Sequence, residues 1–343
     1  MSTRSTGLCS YVHVRARMLW PAYPRRQEDV VDEELLSVRA AELYYDAGRT
    51  QDEIGALLGV SRFKVGRLLT RARETGIVRI EIVHPGARRL GLERALVAAS
   101  PRLSDAVVVP SPQGDEVALT DRVAQAAADH LRALRPVPRT LGVSWGRTLT
   151  AVAAHLPDGW ARGVTVVQVN GGVSVNRRPG GAAHLAATIA ERASGAAVLL
   201  PSPAILEQEQ TARAIQSDRT VAAVLSAAAH ADAYVFSAGV CDATSAHVEN
   251  GYLDADGIRH LQQRGAVGDV LGRYIDAEGN IVDPALDART VGMPLARLRQ
   301  ADTAIFVTAG TAKHDLARTV IASGLCTVVV TDEATARSLL EDA

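Results

Sequence analysis

The sequence predicts an α/β protein in two parts: an N-terminal helix-turn-helix domain, then a doubly wound α/β domain. Three observations carry this. Two short capped helical patterns lie back to back over residues 50–76, joined through Gly59. From Asp105 onward short β-branched runs recur at Ala106–Val109, Leu141–Val143, Val164–Val169, Ala197–Leu200, Ala233–Phe236, Ala304–Thr308 and Thr327–Thr331. Ala-rich helical stretches at 117–134, 181–194, 211–230 and 333–341 separate most of them. Continuous apolar strands alternating with helices build a mainly parallel sheet covered on both faces.

Composition bounds the function. A chain of 343 residues suits two domains at about 100–200 residues each. Aromatics are only 4%, so the core must be built from Ala, Val, Leu and Ile. Lys+Arg is 37 against Asp+Glu 38, a net charge of −1, so a nucleic-acid contact would need a local basic patch. No uncharged apolar window reaches the length of about 18 residues that a membrane span needs. The three cysteines, Cys9, Cys241 and Cys326, are odd in number and far apart, which excludes a disulfide framework and a zinc knuckle. No metal or cofactor is expected, and the composition predicts a soluble cytoplasmic protein. Only Lys64 and Lys313 are lysines among the 37 basic residues, which singles them out for inspection.

The elements follow in order. Residues 1–30 show no periodicity and no signal-peptide core, and are expected to be a disordered extension. Residues 31–86 are assigned to the helix-turn-helix domain. Leu35, Leu36, Val38, Ala41, Leu43, Tyr44 and Tyr45 recur at helical spacing and stop before Gly48. Thr50 with Glu53 is a capping box opening the next helix. Gly59 ends that helix and Ser61 caps another, whose apolar face is Val65, Leu68, Leu69 and Ala72. Gly55 sits where the two helices cross closely. Residues 61–94 carry nine Arg/Lys against three Glu, a net of +6, whereas residues 29–53 carry eight Asp/Glu against two Arg, a net of −6. The anion-facing surface therefore lies on the second helix. Gln51, Ser61, Arg62, Phe63, Lys64, Arg67 and Arg71 are the candidate DNA-contacting residues. Residues 77–83 alternate as a short strand. Residues 87–104 are read as a linker or dimerisation helix, and 105–343 as the α/β domain.

In a doubly wound domain, ligands sit beyond the carboxyl ends of the strands. Four loops there are rich in small residues: Ser144-Trp145-Gly146-Arg147-Thr148, Asn170-Gly171-Gly172, Ser237-Ala238-Gly239, and Ala309-Gly310-Thr311-Ala312-Lys313. The first offers a glycine for close backbone approach and a hydroxyl at a helix start, which suits a phosphate. Each loop read singly also fits an ordinary tight turn; read jointly they converge on one cleft. Residues 265–294 resemble neither strand nor helix for long and read as a site cover or a salt-bridged surface lid. Within them Asp269 could take sugar hydroxyls and Arg289 a second anionic group. No clustered carboxylate–His motif is visible.

The ordered set SRFKVGRLLTRARETGIVRIEI, GVSWGRTL, QVNGG, GAVGDVLGRYID, DARTVGMPLARLR and AGTAKHDLARTVIASGLCTVVVTDEATARSLL resembles the SorC/DeoR-type sugar-binding transcriptional regulators, over residues 35–343. The resemblance implies an effector domain similar to ribose-5-phosphate isomerase and glucosamine-6-phosphate deaminase. It implies a phosphorylated sugar as effector, with Gly146, Arg147 and Thr148 at the phosphate; Ser144 of the same loop is read as an effector contact with them. Gly171, Gly172, Asp269, Arg289 and Lys313 then line the rest of the pocket. It also implies a homodimer or homotetramer on a palindromic double-stranded operator. Two positions depart from the family pattern: Gly66 replaces a small polar residue on the recognition helix, and the loop FSAGV is less glycine-rich than in relatives. The competing reading is a sugar-phosphate isomerase or deaminase with an appended DNA-binding module.

Overall fold

The computed structural model describes residues 28–78, 88–111, 115–172 and 181–341, with side chains from Glu33 onward. The chain divides into two compact units, Met1–Ala87 and Arg88–Ala343. The 1–30 extension and the strand over 77–83 lie almost wholly outside the described residues.

In the first unit α1 (Glu28–Ala41) runs into a single π turn, Glu42–Asp46. Then come α2 (Gln51–Leu58) and α3 (Arg62–Glu74). The capping box is formed: the Glu53 N–H donates to Thr50 Oγ1 at 3.3 Å, and the Thr50 N–H donates to Glu53 Oε2 at 2.8 Å. Gly59 closes α2 in the left-handed region, φ 68° and ψ 29°. Ser61 Oγ accepts the Lys64 N–H at 3.3 Å and starts α3. A Cβ on Gly55 would stand 2.7 Å from the Val60 carbonyl oxygen, so a side chain there would push the turn away. Ile54, Val65, Leu68, Leu69 and Ala72 form the core with Ala40. Leu35, expected on the apolar face, is 58% exposed; Leu36 and Ala40 face inward instead.

The second unit opens with α4 (Leu90–Ala99) and β1 (Asp105–Val109). The helix read from the sequence as a linker or dimerisation element, α4, is bound to the α/β domain. Glu93 is buried on α4; it accepts from Arg88 at 2.8 and 3.0 Å and from the Val108 N–H of β1 at 2.9 Å. The order continues with α5 (Glu116–Ala133), β2 (Thr140–Val143), α6 (Arg147–His155), β3 (Thr165–Gln168), α7 (Ala182–Arg192) and β4 (Ala196–Val198). The helix expected over 211–230 is two, α8 (Glu209–Ser217) and α9 (Arg219–Ala229). Asp218 breaks it by capping α9, accepting from the Thr220 N–H at 2.8 Å. After β5 (Ala233–Phe236) the chain makes an excursion: β6 (Ala238–Val240), α10 (Ala246–Glu249), α11 (Ala255–Gln263), β7 (Gly268–Val270), β8 (Arg273–Ile275), α12 (Pro284–Arg289) and α13 (Ala296–Gln300). It returns through β9 (Ala304–Val307), α14 (His314–Ala322), β10 (Val328–Asp332) and α15 (Glu333–Glu341).

The main sheet has seven strands in the order β1-β10-β9-β5-β2-β3-β4, every pair parallel. Alternate residues serve two cores: Ala106 and Val108 of β1 face one, Val107 and Val109 the other. From β2 the chain winds outward to β4; from β5 it winds the opposite way to β10. The reversal falls between neighbours β2 and β5, and it opens a crevice at their carboxyl ends. The stretch 265–294, read as irregular, is ordered: its strands β7 and β8 join β6 in a small antiparallel sheet packed on α11 and α12 through Tyr274, Leu261 and Leu286. Arg273 anchors it, donating to the Gly292 carbonyl at 3.1 Å and pairing with Asp287.

Candidate functional site

The loops leaving β2, β3, β5 and β9 meet at that crevice around an open cleft of about 630 Å³, its solvent mouth included. Ser144–Thr148 come from β2, Asn170 from β3, Ser237–Val240 from β5 and Lys313 from the β9 loop. The excursion adds Thr244–His247, Asp269 and Gly272.

The β2 loop delivers a helix N-terminus. Gly146 has φ 147° and ψ 169°, a conformation open to glycine and costly for other residues, and it leads directly into α6. The N-cap is Gly146, so among the described residues no side chain caps α6 and its first-turn N–H groups are left open. Thr148 is buried at this end. Arg147 is exposed and leans on Glu249 at 3.2 Å and the Thr244 carbonyl at 3.4 Å. Open amides, the helix dipole and a guanidinium favour an anion here.

Among the described residues, three buried oxygens lining the same cleft have no hydrogen-bond partner: Ser144 Oγ, Asn170 Oδ1 and Ser237 Oγ. An unsatisfied buried polar atom costs about 1–3 kcal/mol, so three around one cleft mark where a polar ligand would sit.

Two charged groups complete it. Asp269 is buried on β7, where one carboxylate oxygen accepts the Gly272 N–H at 2.9 Å and the other lies 3.7 Å from His247 Nδ1. Burial pushes this carboxyl above its ordinary pKa; His247, the Gly272 N–H and Lys313 pull it back. Gly239 on β6 makes room, since a Cβ there would stand 2.3 Å from Asp269 Oδ1. Lys313 is half-buried, and its ammonium makes no hydrogen bond or ion pair among the described residues. Burial, then the Arg147 charge, lowers its pKa below the usual lysine value, and Asp269 opposes them.

The structure also supplies a carboxylate–imidazole cluster that the sequence does not reveal. His247 Nδ1 is 3.1 Å from the Tyr274 hydroxyl and 3.7 Å from Asp269. The Trp145 ring meets His247 edge-on at 5.8 Å. Burial raises the Tyr274 hydroxyl above its ordinary pKa and pushes the neighbouring Cys241 thiol up to about 11.

Three expected residues do not line the cleft. A Cβ on Gly171 would stand 2.1 Å from the Pro203 carbonyl oxygen, and one on Gly172 would stand 2.5 Å from Ala182 Cβ. These glycines serve packing, and the Gly171 carbonyl accepts from Trp145 Nε1 at 2.7 Å. Asn170 faces the cleft in their place. Arg289, at the end of α12, donates to the Leu206 carbonyl at 3.0 Å and ties α12 to that loop.

On α3 the exposed residues are Ser61 at the cap, Arg62, Phe63, Arg67, Thr70, Arg73 and Glu74. Lys64 is half-buried. Arg71 pairs with Glu33 of α1 at 2.7 Å, and Arg62 with Asp52 of α2 at 3.5 Å. Gln51 lies over α3, its Oε1 3.5 Å from where a Gly66 Cβ would be.

Among the described residues no helix is long and apolar enough to cross a membrane. Residues 89–341 match the Sugar-bind family model, a sugar-binding domain. The deoxyribonucleoside regulator of Bacillus subtilis (strain 168) is 29% identical over 311 residues, covering 91% of this chain and 99% of that one. The transcriptional regulator LsrR of Enterobacter sp. (strain 638) is 30% identical over 315 residues, 90% of this chain and 93% of that one. The full-length sorbitol operon regulator SorC from Klebsiella pneumoniae, a crystal structure, aligns with a TM-score of 0.68 at 28% identity over 90% of this chain and 99% of that one. This chain belongs to the SorC/DeoR-type family of sugar-binding transcriptional regulators.

Proposed function

We propose that this protein regulates transcription by binding duplex DNA through α3, and that a phosphorylated sugar in the β2/β5 cleft sets its DNA affinity. The carrying observation is the set of partnerless buried oxygens, Ser144 Oγ, Asn170 Oδ1 and Ser237 Oγ, around the open N-terminus of α6. The phosphate takes the first-turn amides of α6 with Arg147 and Thr148; Lys313 reaches the same ligand, and Asp269 accepts sugar hydroxyls. Relatives named for sorbitol and for deoxyribonucleosides support a carbohydrate effector. A helix-turn-helix binding one half-site buries little surface, so the protein acts as a dimer or tetramer on a palindromic operator. Sedimentation showing a monomer at micromolar concentration, with and without DNA, contradicts that assembly.

The test is a thermal-shift screen of phosphorylated sugars, each beside its unphosphorylated parent. Stabilisation by a phosphorylated sugar but not its parent supports the reading; no shift across the panel refutes it. The Asp269–His247 pair is the one feature that favours sugar-phosphate isomerase or deaminase chemistry, since proton abstraction needs a base within hydrogen-bond reach. Its relatives carry the names of regulators. Turnover of any stabilising sugar phosphate would establish the enzymatic reading.

A further inference from the structure

Phe63 is 86% exposed, more than any other large apolar side chain among the described residues. It lies in the first turn of α3, just after the Ser61 cap. The core side of α3 is Val65, Leu68, Leu69 and Ala72, so Phe63, Gly66, Arg67 and Thr70 share the opposite stripe at i, i+3, i+4 and i+7. Gly66 adds no side chain to that stripe; the Gln51 amide oxygen lies over it, 3.5 Å from where a Cβ would be. Two arginines flank the ring: Arg62 precedes it, 3.5 Å from Asp52 of α2, and Arg67 follows one turn later, while the first turn of α3 itself holds no acid.

An apolar ring set among arginines matches a surface that offers anions and an isolated apolar group together. The major groove of duplex DNA is such a surface, with phosphates along its walls and the 5-methyl of thymine on its floor. Recognition helices present their N-terminal residues to the base edges there. We propose that Phe63 packs on a thymine 5-methyl group and makes operator recognition methyl-dependent at one position in each half-site. This rests on the assignment of α3 as the DNA-reading helix.

The experiment selects duplexes from a randomised library with the full-length protein. Each thymine of the enriched duplex is then replaced singly by deoxyuridine, which removes only the methyl, and affinity is read by fluorescence anisotropy. In each half-site one replacement weakens wild-type binding about fourfold, the equivalent of one buried CH₂ group. The same replacement leaves Phe63→Ala binding unchanged. An enriched duplex with no methyl-dependent thymine overturns the inference and leaves DNA binding standing. Methyl dependence that survives in Phe63→Ala also overturns it, because another residue is then the reader. A chain that enriches no duplex overturns both this inference and the assignment of α3. If Phe63→Ala binds too weakly to titrate, both proteins are compared on the thymine and deoxyuridine duplexes at lower salt, where phosphate contacts strengthen binding.

Discussion

Lys313→Met keeps the side-chain stem and removes its ammonium. Without ligand this costs nothing, because the ammonium has no hydrogen bond or ion pair among the described residues and burial already works against its charge. The ligand-free melting temperature therefore holds or rises. Against a phosphate the same ammonium makes a charge-assisted hydrogen bond worth about 1.5–3 kcal/mol. Its loss weakens the ligand about 10- to 150-fold, at about 1.4 kcal/mol per tenfold. At a ligand concentration of 100 times the wild-type Kd, wild type gains about 2.7 kcal/mol of stability. The variant at that concentration gains about 0.3–1.4 kcal/mol. For a domain of this size each kcal/mol moves Tm by about 2–4 °C, so a shift of about 5–11 °C falls to about 1–6 °C. Differential scanning fluorimetry reads both quantities, with glucose 6-phosphate, fructose 6-phosphate, ribose 5-phosphate, deoxyribose 5-phosphate and sorbitol 6-phosphate as probes. A Lys313→Met protein that is stabilised as far as wild type refutes the assignment. A ligand-free variant that melts well below wild type refutes the premise that the ammonium is unused there.

Three further outcomes are expected. Gly55→Val drives a branched side chain into the Val60 carbonyl, destabilising the first unit by about 1–3 kcal/mol; duplex affinity is lost while sugar-phosphate affinity, read by calorimetry, is kept. Burial would raise the Asp332 carboxyl, but hydrogen bonds from Thr335, Gly310 and Ser111 outweigh it and hold the pKa below the ordinary value. A lowered folded-state pKa stabilises the fold above the unfolded value and is lost as pH falls through the folded one. Asp332→Asn is thus less stable than wild type at pH 7 in urea titrations, with the gap closing below about pH 4. Arg67→Ala lowers the salt-dependence slope of duplex binding by about 1, whereas Arg71→Ala, tied to Glu33, leaves the slope unchanged and costs less than about 1 kcal/mol. Equal reductions in slope for the two variants would place both guanidiniums on phosphates, and an unchanged slope in Arg67→Ala would remove Arg67 from the phosphate contacts.

The main sheet was legible because a parallel strand buried on both faces must be apolar at every position. The runs at Ala106–Val109 and Ala304–Thr308 cannot hide among polar residues. The strands β6, β7 and β8 carry no such mark. At three residues each, Gly268–Val270 and Arg273–Ile275 are too short to show alternation, and pairing across the chain defines them. The break at Asp218 went unseen for a different reason. Alanines run on both sides of it, and a capping aspartate inside a helical pattern looks the same as one on its solvent face.

The cleft was legible only as far as topology fixed it. The loops after β2, β5 and β9 had to open at one edge of the sheet, so Ser144–Thr148 and Lys313 came together as the strand order requires. A glycine after a strand, however, reports only that its backbone comes close to something. At Gly146 the reason is conformational, because a Cβ there would touch nothing within 4 Å. At Gly171 the close neighbour is Pro203, and no ligand enters the explanation. An arginine is equally ambiguous: Arg147 reaches the cleft, Arg289 is used up on the Leu206 carbonyl, and spacing does not separate them. His247 and Asp269 meet only because the excursion folds β7 against α10, a contact without local signature. What separates a binding residue from a packing residue is whether its polar atoms are already satisfied. Satisfaction is a property of the folded neighbourhood, which is why, among the described residues of that loop, Asn170, followed in sequence by the more conspicuous glycines, faces the cleft with an oxygen to spare.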